Sequence, residues 1–161
     1  LGQAAYFAAR DGNYGTMTAL RGDDIVCVPL VEATKLKLVP DAMLDRAEAF
    51  TTKDGSRIRE LVHPVSSAAR NQSLAEATVP VGGATTAHLH PVAEELYLIT
   101  HGTGRMRIGP EERDVGPGDC VVIPPGVEHK LVNTGDAELR LLCCCAPAYA
   151  DVDTVLTEPG S

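Results

Sequence analysis

The sequence predicts an all-β sandwich or barrel built of short strands, with a short α+β extension at its N-terminal side. Two observations carry this reading. From about Lys53 onward, short runs rich in Val, Ile, Leu and Thr alternate with turn-forming clusters, PVGG, GPEE, GPGD, PPGVE and NTGD, and strands punctuated at this spacing by Gly, Pro, Asn and Asp belong to sandwiches and barrels. Residues 1–52 have another texture, helix-like and hairpin-like, with no internal repeat or low-complexity tract in either part. The boundary is expected near TTKDGS, which gives an extension over 1–52 and a β domain over 53–161.

Within the extension, AAYFAARDG reads as a short helix closed by Gly12. TMTAL and DIVCVPL read as strands joined by an RGDD turn, and DAMLDRAEAF as a second helix that Asp41 starts behind Pro40. In the β domain, ARNQSLAEATV and LLCCCA read as strands, and an apolar strand lies beside the Pro-Pro-Gly turn of GDCVVIPPGVEHKLVN. A chain of 161 residues, 44% hydrophobic and 22% charged, has the composition of one globular domain with an appendage.

A formal net charge of −8 argues against nucleic acid or anionic lipid as a partner, because both are held by clustered Lys and Arg. No apolar run reaches the ~18 residues of a membrane span, and the first residues lack the basic and apolar regions of a secretory signal. The expected location is cytoplasmic and the expected partner a small-molecule substrate. Five cysteines, three of them consecutive at Cys143, Cys144 and Cys145, do not form the spaced pattern of a secreted disulfide protein. They read as reduced, small apolar strand residues, and strand alternation keeps three successive thiols from converging on one metal.

The chemistry concentrates in GGATTAHLHPVAEELYLITHG, from Gly82 to Gly102. On a strand, His88 and His90 point to the same face, and Glu95 reaches that face from the next strand after a turn at Pro91–Val92. Glu94 points the other way. A second island, from Gly118 to Asn133, offers His129 beyond its Pro-Pro-Gly turn. Three imidazoles and a carboxylate bind a divalent ion and leave positions open for water or substrate, and Mn, Fe, Co, Ni, Cu and Zn all accept such ligands. His63 and His101 are expected to be surface or structural.

These two islands resemble the motifs of the cupin superfamily. The first motif, Gly, five residues, His-x-His, three or four residues, Glu, six residues, Gly, is matched by Gly82, His88, His90, Glu95 and Gly102. The second, Gly, five residues, Pro-x-Gly, two residues, His, three residues, Asn, is matched by Gly118, Pro124, Gly126, His129 and Asn133. The resemblance spans about Ile58 to Leu156 and implies the cupin double-stranded β-helix, a jelly-roll barrel with the metal inside its mouth. GTMTALRGDDIVCVPLVEATKLKLVPDAMLDRAEAF, from Gly15 to Phe50, is similar to the C-terminal end of bacterial phosphofructokinases. In that family the phosphate-binding turns, the catalytic carboxylate and the sugar-phosphate ligands lie upstream of this tail, so no kinase activity carries over. Either a gene fusion or a scar of assembly would account for it.

On the substrate side, Gln72, Tyr97 and Cys143 are the groups expected near the metal, with Arg70 and Glu60 as weaker additions. Tyr97 and Glu95 are the candidates for acid–base work, and Asn133 is expected to fix a turn. A composition with 4% aromatic residues and no Trp favours a small polar substrate over a polycyclic one. The resulting expectation is a metal-dependent enzyme acting on a small oxygenated metabolite, carbohydrate-derived, by isomerase, lyase or hydrolytic chemistry. A metal-dependent dioxygenase and a non-catalytic metal- or ligand-binding module are the alternatives, because fold does not fix function. A homodimer is expected, with the strands of the extension covering free edges.

Overall fold

The computed structural model describes residues 2–12, 14, 16–21, 24–29, 44 and 46–159. The chain divides into two compact units, Leu1–Leu38 and Val39–Ser161. In the first, the Ala-rich run Gly2–Arg10 forms helix α1, which ends where Gly12 takes a positive φ of 78°. Strands β1 (Thr16–Arg21) and β2 (Asp24–Pro29) pair antiparallel, from Thr16 opposite Pro29 to Arg21 opposite Asp24. The expected helix and hairpin strands are therefore formed. The tip of the RGDD turn lies outside the described residues.

The second helix is a correction. Its start at Asp41 lies outside the described residues, Leu44 and Arg46 are in turns, and its end, Ala49–Thr51, is strand β3. There Phe50 sits opposite Ile58 of β4 (Arg57–Val62). Pairing with a neighbouring strand has overridden the helix propensity of an Ala- and Glu-containing run.

The remaining strands of this unit are β5 (Ser73–Val79), β6 (His88–Leu89), β7 (Glu94–His101), β8 (Gly104–Ile108), β9 (Glu111–Val115), β10 (Cys120–Ile123), β11 (His129–Asn133), β12 (Leu139–Ala146) and β13 (Val155–Leu156). They make two sheets, a six-stranded one in the order β10-β7-β12-β5-β4-β3 and a five-stranded one in the order β13-β6-β11-β8-β9. Both sheets are open, which overturns the expected jelly-roll barrel. Closure requires every strand to have a neighbour on each side, whereas β3 and β10 end one sheet and β9 and β13 end the other. The short edge strands, three residues in β3 and two in β13, are where the ladders stop.

The core lies between the inner faces of the two sheets. Ile58, Val79, Tyr97, Ile99 and Leu141 come from the six-stranded sheet, and Met106, Val115 and Leu131 from the five-stranded one. Each large side chain buried this way contributes about 1.5–3 kcal/mol of transfer free energy. Alternation sets which residues face inward: Glu95, Tyr97 and Ile99 of β7 are buried, while Glu94, Leu96 and Leu98 are exposed. Register then aligns Cys143 with Tyr97 and Cys145 with Glu95 on the adjacent β12. Gly102, which ends the first motif, has φ 75°, and a Cβ on it would stand 2.5 Å from the Glu138 carbonyl oxygen. Only glycine fits that turn.

Candidate metal centre

The two sheets contribute opposite sides of one buried cluster. His88 on β6 is the ladder partner of His129 on β11, and His90 follows β6 directly. Glu95 faces them from β7 of the other sheet. The loop between His90 and Glu95 is fixed by Asp153, whose carboxylate accepts hydrogen bonds from the backbone N–H of Val92 at 3.1 Å and of Ala93 at 2.9 Å. Gly126 of the second motif donates its N–H to the His90 carbonyl at 2.7 Å, tying the two motifs together.

One ligand atom from each of His88, His90, Glu95 and His129 lies within 4.8 Å of the others, and all four residues are buried. Each imidazole uses Nδ1 to reach a backbone carbonyl: His88 to Thr86 at 2.7 Å, His90 to Asp153 at 3.2 Å and His129 to Val127 at 3.2 Å. A carbonyl can only accept, so Nδ1 carries the proton and, in the neutral ring, Nε2 offers its lone pair. That arrangement orients histidines for metal binding. Glu95 Oε2 lies 3.4 Å from His90 Nε2 and 3.3 Å from His129 Nε2. Neither Glu95 Oε2 nor His129 Nε2 has a hydrogen-bond partner. Buried polar atoms left without partners are costly, and a divalent cation among them satisfies both. The donor set fits such an ion, and the cluster is positioned to chelate it.

The electrostatics agree with this chemistry. Burial alone would raise the Glu95 carboxyl, but the His129 and His90 rings beside it outweigh burial and hold it well below the usual carboxylate range. Burial lowers His90 while Glu95 more than compensates, so His90 ends above its ordinary 6.5. Burial and the neighbouring His129 lower His88. Burial, reinforced by the charge of Glu95, pushes the Tyr97 hydroxyl and the Cys143 and Cys145 thiols upward, so all three stay protonated near neutral pH.

A small cavity opens beside the cluster and is lined by His88, His90 and Glu95. Of the sequence-derived substrate candidates, Tyr97, Cys143 and Glu60 line it. Gln72 is exposed and precedes β5 rather than lying within it, and Arg70 is exposed; neither lines the cavity. Asn133 donates from Nδ2 to the Val79 and Ala137 carbonyls and accepts from Gly135 N–H, the turn-fixing role expected of it. His101 is exposed, and His63 bonds through Nε2 to the Tyr149 carbonyl.

Sequence reasoning missed the other lining residues, among them Asp54, Cys145, Tyr149 and Thr154. Cys145 was within reach of strand parity, being two residues from Cys143, and its thiol donates to Glu95 Oε1 at 3.3 Å. Asp54 carries no comparable signal, since TTKDGS has the composition of any turn.

An open two-sheet β unit that holds three imidazoles and a carboxylate at a buried centre defines a metal-chelating protein with a small-molecule cavity. Residues 75–145 match the cupin domain, and the chain belongs to that family. It is 46% identical over 114 residues to an uncharacterized protein of Methanocaldococcus jannaschii, a match covering 71% of this chain and 91% of that one. The structure of Streptomyces Pac13, a nucleoside dehydratase, resembles it with a TM-score of 0.61 at 16% identity, over 80% of this chain and 95% of that one, a likeness of fold. A short stretch is 55% identical over 49 residues to the ATP-dependent 6-phosphofructokinase 2 of Streptomyces coelicolor, covering 30% of this chain and 14% of the kinase. A metal-chelating cluster inside a cupin domain is consistent with metal-dependent enzymatic activity. Among the described residues, no helix is long and apolar enough to cross a membrane.

Proposed function

We propose that this chain is a metal-dependent enzyme acting on a small, carbohydrate-derived metabolite, with the ion held by His88, His90, Glu95 and His129. The observation that carries the reading is the pair of buried, partnerless ligand atoms, Glu95 Oε2 and His129 Nε2, beside a cavity whose largely apolar wall also carries hydroxyl side chains. A bound divalent ion supplies Lewis acidity, polarising a substrate carbonyl or hydroxyl oxygen. The chain's own groups orient what binds there. Tyr97, kept protonated by burial, serves as a hydrogen-bond donor rather than a resting base. Hydroxyl side chains of Thr52, Ser56, Ser73 and Thr154 on the cavity wall favour a polyhydroxylated ligand over an apolar one. A nucleoside, the substrate class in the name of Pac13, contains a sugar of that kind. Isomerase or lyase chemistry, in which a proton or a C–O bond moves without net oxidation, suits this set of protonated donors.

The test begins with elemental analysis of protein purified without a metal-chelating tag and then reconstituted. About one equivalent of a divalent transition metal is expected, falling sharply in His90→Ala and His129→Ala; less than ~0.2 equivalents in the wild type would overturn the reading. Metal-loaded protein incubated with aldoses, ketoses and sugar acids, followed by proton NMR, should then reveal turnover. Turnover accompanied by stoichiometric oxygen uptake would refute the non-oxidative assignment.

A further inference from the structure

The cavity has a second polar pole that the four metal-chelating residues leave unused. Asp54 is 7% exposed, and its Oδ1 takes hydrogen bonds from Thr52 Oγ1 at 2.5 Å, Ser56 Oγ at 2.9 Å and, longer, Ser56 N–H at 3.4 Å. Among the described residues, no hydrogen bond reaches Oδ2. The carboxylate is also held in place relative to the metal centre. The Asp54 carbonyl accepts Thr86 N–H at 2.6 Å, and the Thr86 carbonyl accepts His88 Nδ1–H at 2.7 Å. Thr154, 5% exposed, also lines the cavity, and its buried Oγ1 has no hydrogen-bond partner of normal geometry although the Tyr149 phenol lies close enough to interact with it.

A carboxylate oxygen accepts only, so Oδ2 calls for a donor, whereas a threonine hydroxyl can donate and accept. A hydroxyl group meets both requirements. An ammonium could donate to both oxygens, but it would offer no acceptor to the threonine O–H and would bring a second positive charge into a cavity shared with a divalent ion. We infer that Asp54 Oδ2 and Thr154 Oγ1 form a hydroxyl-recognising subsite for a polyol chain whose head is held at the metal centre. This inference rests on the metal-site reading above and deepens it. It selects substrates that carry at least one hydroxyl beyond the metal-chelating group, as sugar acids and ketoses do and simple oxo- or hydroxyacids do not.

Two probe classes share one α-hydroxycarboxylate head and differ in the tail: glycolate, which ends there, and the four-carbon acids threonate and erythronate, which add two hydroxyl-bearing carbons. Calorimetric titration of the full-length, Mn(II)-loaded protein should give at least ~10-fold tighter binding of threonate or erythronate than of glycolate, the scale of one charge-assisted hydrogen bond. Asp54→Asn and Thr154→Val should each abolish that gain while leaving glycolate affinity and metal content at wild-type levels. Thr154→Val keeps the side-chain shape, so it reports on the subsite even if Asp54→Asn folds poorly. The inference is overturned if neither four-carbon acid gains over glycolate in the wild type, or if the gain survives both substitutions. It is equally overturned if Asp54→Asn loses the metal, since Asp54 would then support the ion rather than the substrate. Failure of glycolate itself to bind metal-loaded protein would overturn the open metal site, and the subsite with it.

Discussion

Cys145 illustrates how a single side chain tunes the centre. Its thiol donates to Glu95 Oε1, the oxygen turned away from His90 and His129, and so holds the carboxylate in the rotation that aims Oε2 at the imidazoles. Removing such a support typically costs ~10–100-fold in metal affinity. Cys145→Ala should therefore weaken Mn(II) or Zn(II) binding on that scale by calorimetry, while Cys145→Ser, which keeps a donor, should recover most of it. Equal affinity for the two variants would mean that the thiol acts by packing alone. Protons compete for the same site. Burial opposes a proton on His90 but Glu95 outweighs it, so His90 titrates above 6.5 and near that pH carries a proton that an incoming ion must displace, whereas burial shifts His88 downward and lets it give up its proton more readily. Apparent metal affinity should thus fall on acidification through pH 6.5. Titrations in two buffers of different ionisation enthalpy should register proton release at pH 6.5 and less at pH 8.5, and absence of release at the lower pH would contradict the assignment. At this scale the ligands were legible in the sequence because two-residue alternation separates Glu95 from Glu94 and pairs His88 with His90. Asp54 and Thr154 were not, because what brings them to the cavity is long-range, a backbone bond from Thr86 to Asp54 and the return of the chain after β12.

Among the elements, legibility follows the strength of the local signal. β7 alternates cleanly and β12 carries a continuous apolar run, and both were readable, as were the turns that bear motif glycines. DAMLDRAEAF has helix-forming residues, yet Ala49–Thr51 is drawn into the six-stranded sheet by a partner, Arg57–Arg59, that no local window contains. The glycine turns themselves are testable. Gly102 and Gly118 both have positive φ, 75° and 94°, so alanine at either carries a backbone penalty of about 1–2 kcal/mol. Gly102 carries a second penalty: its Cβ would meet the Glu138 carbonyl oxygen at 2.5 Å and Leu139 Cα at 2.9 Å, both backbone atoms, while nothing lies within 4 Å at Gly118. Urea unfolding should show Gly102→Ala destabilised by at least ~1 kcal/mol more than Gly118→Ala. Equal losses would imply that the start of β12 moves aside at little cost.

At the scale of the whole molecule, the two open sheets of the Val39–Ser161 unit leave four edges, and the expectation of a closed barrel failed because alternation reports which face a residue takes but not whether the last strand meets the first. One of those edges, β3, belongs to a stretch with two roles. Thr51 ends the strand, Thr52 donates to the Asp54 carboxylate, and Lys53 Nζ donates to the Asp151 and Thr154 carbonyls, linking this stretch to the segment that carries Asp153 and Thr154. Where the chain is cut should therefore matter sharply. A chain beginning at Leu44 retains β3 and every cavity residue, and it should keep wild-type metal content with a similar unfolding midpoint for the β unit. A chain beginning at Lys53 keeps all four metal ligands but loses the β3–β4 ladder and the hydroxyl of Thr52, exposing β4 as a new edge. It should still bind the ion, because none of the ligand-supporting hydrogen bonds is cut, but with a midpoint lowered by several degrees, about 1–2 kcal/mol for a unit this size. Metal analysis and thermal unfolding of the two truncated chains separate the contributions. Loss of metal in the chain beginning at Leu44 would show that the Leu1–Leu38 unit is needed for the centre, and identical midpoints for the two chains would show that β3 contributes nothing to the sheet it extends.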